Sequence, residues 1–164
     1  MALGRVRGFQ PAILRTAMDR TGYSVDALAV ATGVTPQAVR GWLNGSYKPG
    51  ADAVRQLGLA LEIDPLELSG KTVITATLVD LRQRAGLTGS EAAEQVELIP
   101  SQLYALEQAV TSPKLEHLDL LAQPYDVDRE TIRRSWVNRR IERFGRESLS
   151  RLPGELAAEL GATE

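Results

Sequence analysis

Apolar residues recur at helical spacing along nearly the whole chain, and no long stretch alternates in the way a strand requires. Val54, Leu57 and Leu61, for example, fall three and four apart, which gives one buried face. Caps and breakers cut this pattern into short helices. A helix over 11–20 stops at Gly22. Ser24 is suited to cap a second helix that runs to Ala31. Gly33 makes a turn, Thr35 caps a third helix, and Pro36 takes its first position, where a missing N–H costs nothing. That helix ends at Gly45. A loop at Lys48-Pro49-Gly50 leads to a fourth helix over 51–61, and Asp64-Pro65 opens a short fifth.

The pattern then repeats at a shift of 64 residues without gaps. Leu14 falls on Leu78, Arg20 on Arg84, Gly22 on Gly86 and Ser24 on Thr88. Ala29 falls on Ala93, Pro36 on Pro100, Val39 on Leu103, Pro49 on Pro113 and Asp64 on Asp128. The repeat predicts helices over 73–84, 90–96, 100–108 and 114–123, and a long last helix from Asp128 to Phe144. In the tail from Ser148, Leu152, Leu156 and Leu160 can line one side of a short helix. The expected organisation is a first domain over 9–70, a second over 72–146, and a tail over 147–164.

Two short helices joined by a Gly-containing turn make a helix-turn-helix unit. Leu28, Ala29, Val34, Val39 and Trp42 can share its core. Pro36, Gln37, Arg40, Gly41 and Asn44 are left on an outer face at helical spacing. These residue types suit a DNA major groove, where Gln pairs with adenine and Arg with guanine. Gly41 is expected to let the helix approach the bases. Ser24, Thr35, Ser46 and Lys48 flank the face and suit phosphates.

Residues 14–68 resemble the Cro/lambda-repressor (XRE-type) helix-turn-helix family. Gly22, Ser24, Leu28-Ala29, Gly33-Val34-Thr35, Val39, Trp42, Asn44-Gly45 and Pro49 carry the resemblance. It implies a compact five-helix domain whose third helix reads the major groove from Thr35, Pro36 and Gln37 onward. Val25 stands where the family usually has Gln, and Leu43 where it usually has Glu. Residues 78–132 resemble the same family through Leu81-Arg82, Gly86, Thr88, Ala93, Leu103, Leu106-Glu107 and Pro113. There Glu97 and Ala109 replace the turn glycines. The fold class expected is therefore all-α, two tandem five-helix domains of this type, the second with an extended C-terminal helix.

Charge separates the two units. Residues 1–50 carry six basic and two acidic side chains, whereas 51–128 carry five basic and thirteen acidic; the whole chain is at −2. A locally positive first unit can meet a polyanion even in an acidic chain. In the second unit Ser101, Gln102 and Tyr104 are the candidate DNA contacts, but Glu91, Glu94 and Glu97 oppose phosphate. Direct DNA contact and a packing or dimer role both remain open for it. Arg5 and Arg7 precede the first helix, either as an arm on DNA or as a disordered basic N-terminus. On the long helix from Asp128, Trp136, Val137, Ile141 and Phe144 are candidate dimer or interdomain contacts, with arginines elsewhere; Trp136 is a core or interface residue, and the stripe packs on the second unit, on a second subunit or on both.

Other classes find little support. The 164 residues include no cysteine and one histidine, His117, so no metal site and no cofactor is expected. There is no Gly-rich phosphate loop and no nucleophile elbow, so no catalytic residue is assigned. No apolar run approaches the ~20 residues of a membrane span. The expected partner is double-stranded DNA, with a homodimer as a further possibility and no effector indicated. The expected location is the cytoplasm, at the nucleoid. The function expected is a sequence-specific transcriptional regulator, a repressor first of all. Abundant Ala and Arg in excess of Lys point to a GC-rich bacterial, phage or plasmid genome. The rival reading is a protein-interaction adaptor or antitoxin-like partner that uses the acidic second unit.

Overall fold

The computed structural model describes residues 5–162. The chain forms two compact units. The first runs to Thr72 and also takes in Gln83–Thr88; the second takes Val73–Arg82 and the chain from Gly89 onward. Among the described residues all regular structure is helical, apart from one isolated bridge between Arg5 and Gly50.

The first unit contains α1 (Pro11–Thr21), α2 (Val25–Thr32), α3 (Pro36–Leu43), α4 (Ala51–Leu61) and a 3-10 turn (Pro65–Ser69). Each boundary has a local cause. Gly22 ends α1 in the left-handed region at φ 75°, and its N–H donates to the Met18 carbonyl. The Ser24 and Thr35 hydroxyls accept from the N–H groups of Ala27 and Ala38, both at 3.1 Å. Such caps contribute about 1 kcal/mol each. Asp64 and Glu67 form a reciprocal capping box at the 3-10 turn. Leu14, Leu28, Val39, Leu57, Leu61 and Leu68 are fully buried together, with Ala29 and Trp42 beside them. Each large aliphatic side chain in this core contributes roughly 1.5–3 kcal/mol of burial.

The segment before α1 belongs to the same core. Val6 and Phe9 are buried, and the Val6 N–H donates to the Pro49 carbonyl at 3.0 Å. Gln83 holds the backbone of Arg5 and Arg7 through its side-chain amide. The backbone of this segment is thus tied down, because Val6 and Phe9 need apolar cover, while Arg5 and Arg7 stay exposed.

Next along the chain comes α5 (Leu78–Arg84), of which all but Gln83 and Arg84 belongs to the second unit; that unit also contains α6 (Gly89–Gln95), α7 (Pro100–Glu107), α8 (Leu115–Leu120) and α9 (Arg129–Phe144), then a 3-10 turn (Arg146–Arg151) and α10 (Gly154–Glu159). Two elements are shorter than expected. The helix predicted from Val73 starts only at Leu78. Thr77 and Asp80 bond reciprocally there, closing a cap, and the β-branched run Val73-Ile74-Thr75 favours helix poorly. The helix over 114–123 stops at Leu120, because Pro124 disfavours helical geometry at Gln123. Glu97 and Ala109 adopt the left-handed conformation of the glycines they replace, at φ 56° and 52°. The fold thus imposes these turns even where the side chain opposes them, at a cost of roughly 1–2 kcal/mol each.

A buried polar cluster sits in this unit. Arg82 donates through Nε to Glu107 Oε1 at 2.7 Å, and the Tyr125 hydroxyl donates to the same oxygen at 2.8 Å. Burial disfavours the Arg82 charge, but the bond to Glu107 outweighs it and holds the guanidinium pKa up. Burial and the Glu107 carboxylate push the Tyr125 phenol far above its ordinary value. At the repeat shift these three positions are Met18, Leu43 and Leu61 in the first unit. One fold thus carries an ionic core at one end of the chain and an apolar one at the other.

The long helix α9 is held to its own unit. Asp128 caps it through the Thr131 N–H at 2.7 Å. Arg133 pairs with Asp119 at 2.8 Å. Asn138 donates to the Ile74 and Ala76 carbonyls. Trp136 is fully buried, so of the two places open to it, core and interface, it takes the core and offers a partner no surface. Val137 and Ile141 are half-buried and Phe144 is exposed.

Candidate nucleic-acid interface

The geometry of α2, the turn and α3 follows from a few residues. Gly33 takes φ 69°, which lets the Val34 N–H reach the Ala29 carbonyl at 3.0 Å. Val34 then folds onto the core, and α3 leaves the turn with Val39 and Trp42 directed inward. The opposite side of α3 is left to solvent. Gln37, Arg40 and Asn44 are exposed there, and so are Ser24, Thr35, Ser46 and Lys48 around it. Pro36, at the first helical position, is half-buried.

Gln37 and Arg40 differ in freedom. Among the described residues no hydrogen bond ties the Gln37 side chain, which is exposed. Arg40 reaches Asp26 at 3.4 Å, with the two side chains 60% and 75% exposed. A pair this open contributes at most about 1 kcal/mol, so Arg40 can leave it for a base or phosphate. Asp26 nonetheless places an acid beside a face that holds a guanidinium and two amides. Asn44 uses its Oδ1 to accept the Ser46 N–H at 2.9 Å, which leaves its amide N–H groups for a partner. Arg15 donates to the Leu43 carbonyl at 3.1 Å, placing a cation at the C-terminal end of α3.

Gly41 is not open to the bases as expected. It is buried beneath the Tyr47 ring, whose Cζ, Cε1 and hydroxyl oxygen occupy the space a Cβ would need. The Tyr47 hydroxyl donates to the Gln37 carbonyl at 2.9 Å. Tyr47 therefore covers the edge of α3 that Gly41 was expected to leave bare. The sequence held a signal for this. A glycine inside a helix costs about 1 kcal/mol and needs a reason. In the second repeat the Gly41–Tyr47 pair becomes Ala105–Thr111, so the glycine and the aromatic disappear together.

The corresponding surface of the second unit is built differently. Ser101, Gln102 and Tyr104 are exposed on α7. Gln102 folds its Oε1 back to the Ile99 N–H at 3.2 Å, so its acceptor is already used at the helix start. Glu94 and Glu97 are exposed in the approach to α7. The arginines of α9 are engaged within the unit. Arg139 pairs with Glu142, and Arg140 donates to the Ala109 carbonyl at 2.8 Å. His117 is half-buried near Glu116, and no cluster suited to a metal occurs among the described residues.

Comparison with known proteins agrees with this geometry. Residues 14–68 match a family described as "Helix-turn-helix", and residues 74–135 one described as "Helix-turn-helix domain". The chain thus carries two helix-turn-helix domains in tandem, which match the Cro/lambda-repressor-like family. Domains of this kind mark a DNA-binding regulator and are typical of regulators without enzymatic activity. No curated protein and no solved structure matches the chain significantly. Among the described residues no helix is long and apolar enough to cross a membrane.

Proposed function

We propose that the protein is a sequence-specific transcriptional repressor of a bacterium, phage or plasmid, acting by occluding a promoter. In this reading α3 lies in the major groove. Gln37 and Arg40 read bases, Asn44 contacts the groove with its amide N–H groups, and Tyr47 lines the edge. Ser24, Thr35, Ser46 and Lys48 bind phosphates and fix the register of the helix.

The observation that carries the proposal is the exposed face of α3. It offers an amide and a guanidinium at i and i+3, the types that pair bidentately with adenine and guanine. Both hydroxyl caps that start α2 and α3 are exposed next to it. Two such units brought together would read half-sites about one DNA turn apart.

Selection of bound duplexes from a random DNA pool by the purified full chain tests this. The expected result is an enriched motif with one strongly preferred guanine and one adenine per half-site. Recovery of no motif at low salt, where phosphate contacts are strongest, overturns the proposal.

A further inference from the structure

The face of α7 that corresponds to the α3 face has changed character. At the repeat shift, Thr35, Gln37, Arg40, Ser46 and Lys48 become Ile99, Ser101, Tyr104, Val110 and Ser112. Every cation is gone, and three positions are apolar or aromatic. Ile99, Tyr104 and Val110 are 59%, 64% and 46% exposed. A concentration of large exposed apolar side chains around one short helix marks an interaction surface.

Charge is sorted to the two ends of this surface. Glu94 and Glu97 are exposed where the chain enters α7. At the far end Arg140 and Arg143 donate to the carbonyls of Gln108, Ala109 and Val110. Their guanidinium groups lie 4.7 and 5.2 Å from the ring centre of Phe144, itself 44% exposed. The surface is thus acidic at one end, apolar in the middle and basic at the other.

We propose that this α7 face is a homodimer interface on which a second copy of the chain docks antiparallel. A two-fold axis near Tyr104 reverses the helix direction. It sets Glu94 and Glu97 against the partner's Arg143 and Arg140 at both ends, and apolar residues against apolar residues between them. A symmetric interface requires a self-complementary patch, and this charge order supplies one. DNA fits the surface less well. Glu94 and Glu97 stand where the chain enters α7, beside the helix N-terminus at which a phosphate would be held. A foreign partner of single charge sign would be repelled at one end.

The interface needs no DNA, so its test is independent of the function proposed above. The measurement is the mass of the full chain by light scattering across a concentration series. The wild-type chain is expected to pass from monomer to dimer as concentration rises. Tyr104→Glu is expected to remain monomeric with an unchanged circular dichroism spectrum. Glu97→Arg is expected to remain monomeric as well, and Glu97→Arg combined with Arg143→Glu to regain the dimer. A wild-type chain monomeric at every concentration overturns the proposal. So does a dimer indifferent to Tyr104→Glu and Glu97→Arg. Loss of DNA binding in Tyr104→Glu, with the mass unchanged, also overturns it and gives the face to DNA.

Discussion

Replacing Gly41 with alanine tests how α3 is built. On propensity alone the change should stabilise a helix interior by about 1 kcal/mol. The structure predicts the opposite sign, because the new Cβ would overlap the Tyr47 ring. The ring must swing out. That forfeits the hydroxyl bond to the Gln37 carbonyl, about 1 kcal/mol net. It also forfeits the packing of a half-buried aromatic, roughly 1–1.5 kcal/mol. Set against the propensity gain, Gly41→Ala should destabilise the first unit by about 1 kcal/mol. In a Tyr47→Ala background the obstacle is absent, and the same substitution should stabilise by about 1 kcal/mol. The two positions should therefore couple by roughly 2 kcal/mol in a double-mutant cycle. Amide hydrogen exchange of α3 in the full chain reads the first unit separately from the second. Additive effects, with Gly41→Ala stabilising in both backgrounds, would refute the reasoning.

Three further outcomes follow from other contacts. Asp26→Asn removes the acid that holds Arg40; DNA binding should tighten severalfold in a titration while stability changes by less than about 1 kcal/mol, and unchanged affinity would count against the assigned face. Glu107→Leu alone strands the buried Arg82 charge and should cost about 3–5 kcal/mol in denaturant unfolding. The triple change Arg82→Met, Glu107→Leu and Tyr125→Leu installs the first unit's residues and should recover most of that loss; a triple variant as unstable as the single one contradicts the comparison of the two cores. The Asp119 carboxyl is held below its ordinary pKa of 3.8, chiefly by its hydrogen bond from Arg133. Its contribution is thus full above that value and is lost as the pH falls through the lower folded-state value. Thermal melts should show a weaker acid decline below about pH 3.8 in Asp119→Asn than in the wild-type chain, and parallel declines would exclude the pair as a cause.

Much of the fold was legible because short-range chemistry sets it. Ser24, Thr35 and Asp128 cap the helices that their positions announced. The apolar residues Leu28, Ala29, Val39 and Trp42 share a core as their spacing required. What was not legible depends on contacts between residues that no helical period relates. Gly41 and Tyr47 meet only because the chain doubles back after Gly45. Trp136 lies on an apolar stripe that period alone cannot assign to core or partner. The Thr77–Asp80 cap competes with a helix pattern that begins earlier, and periodicity does not weigh the two. The polarity of the α7 face was visible as an absence of Lys and Arg. Its charge order was not, because the α9 arginines reach the end of α7 through the tertiary fold.

The central claim is that α3 reads bases through Gln37 and Arg40. The most direct measurement compares the base preferences of the wild-type chain with those of Gln37→Ala and Arg40→Ala on the selected motif. Each variant should lose preference at one base pair, by roughly 1–3 kcal/mol, and keep it elsewhere. Lys48→Ala, by contrast, should weaken all sequences alike. Variants with an intact motif, or a uniform loss in both, would contradict the claim.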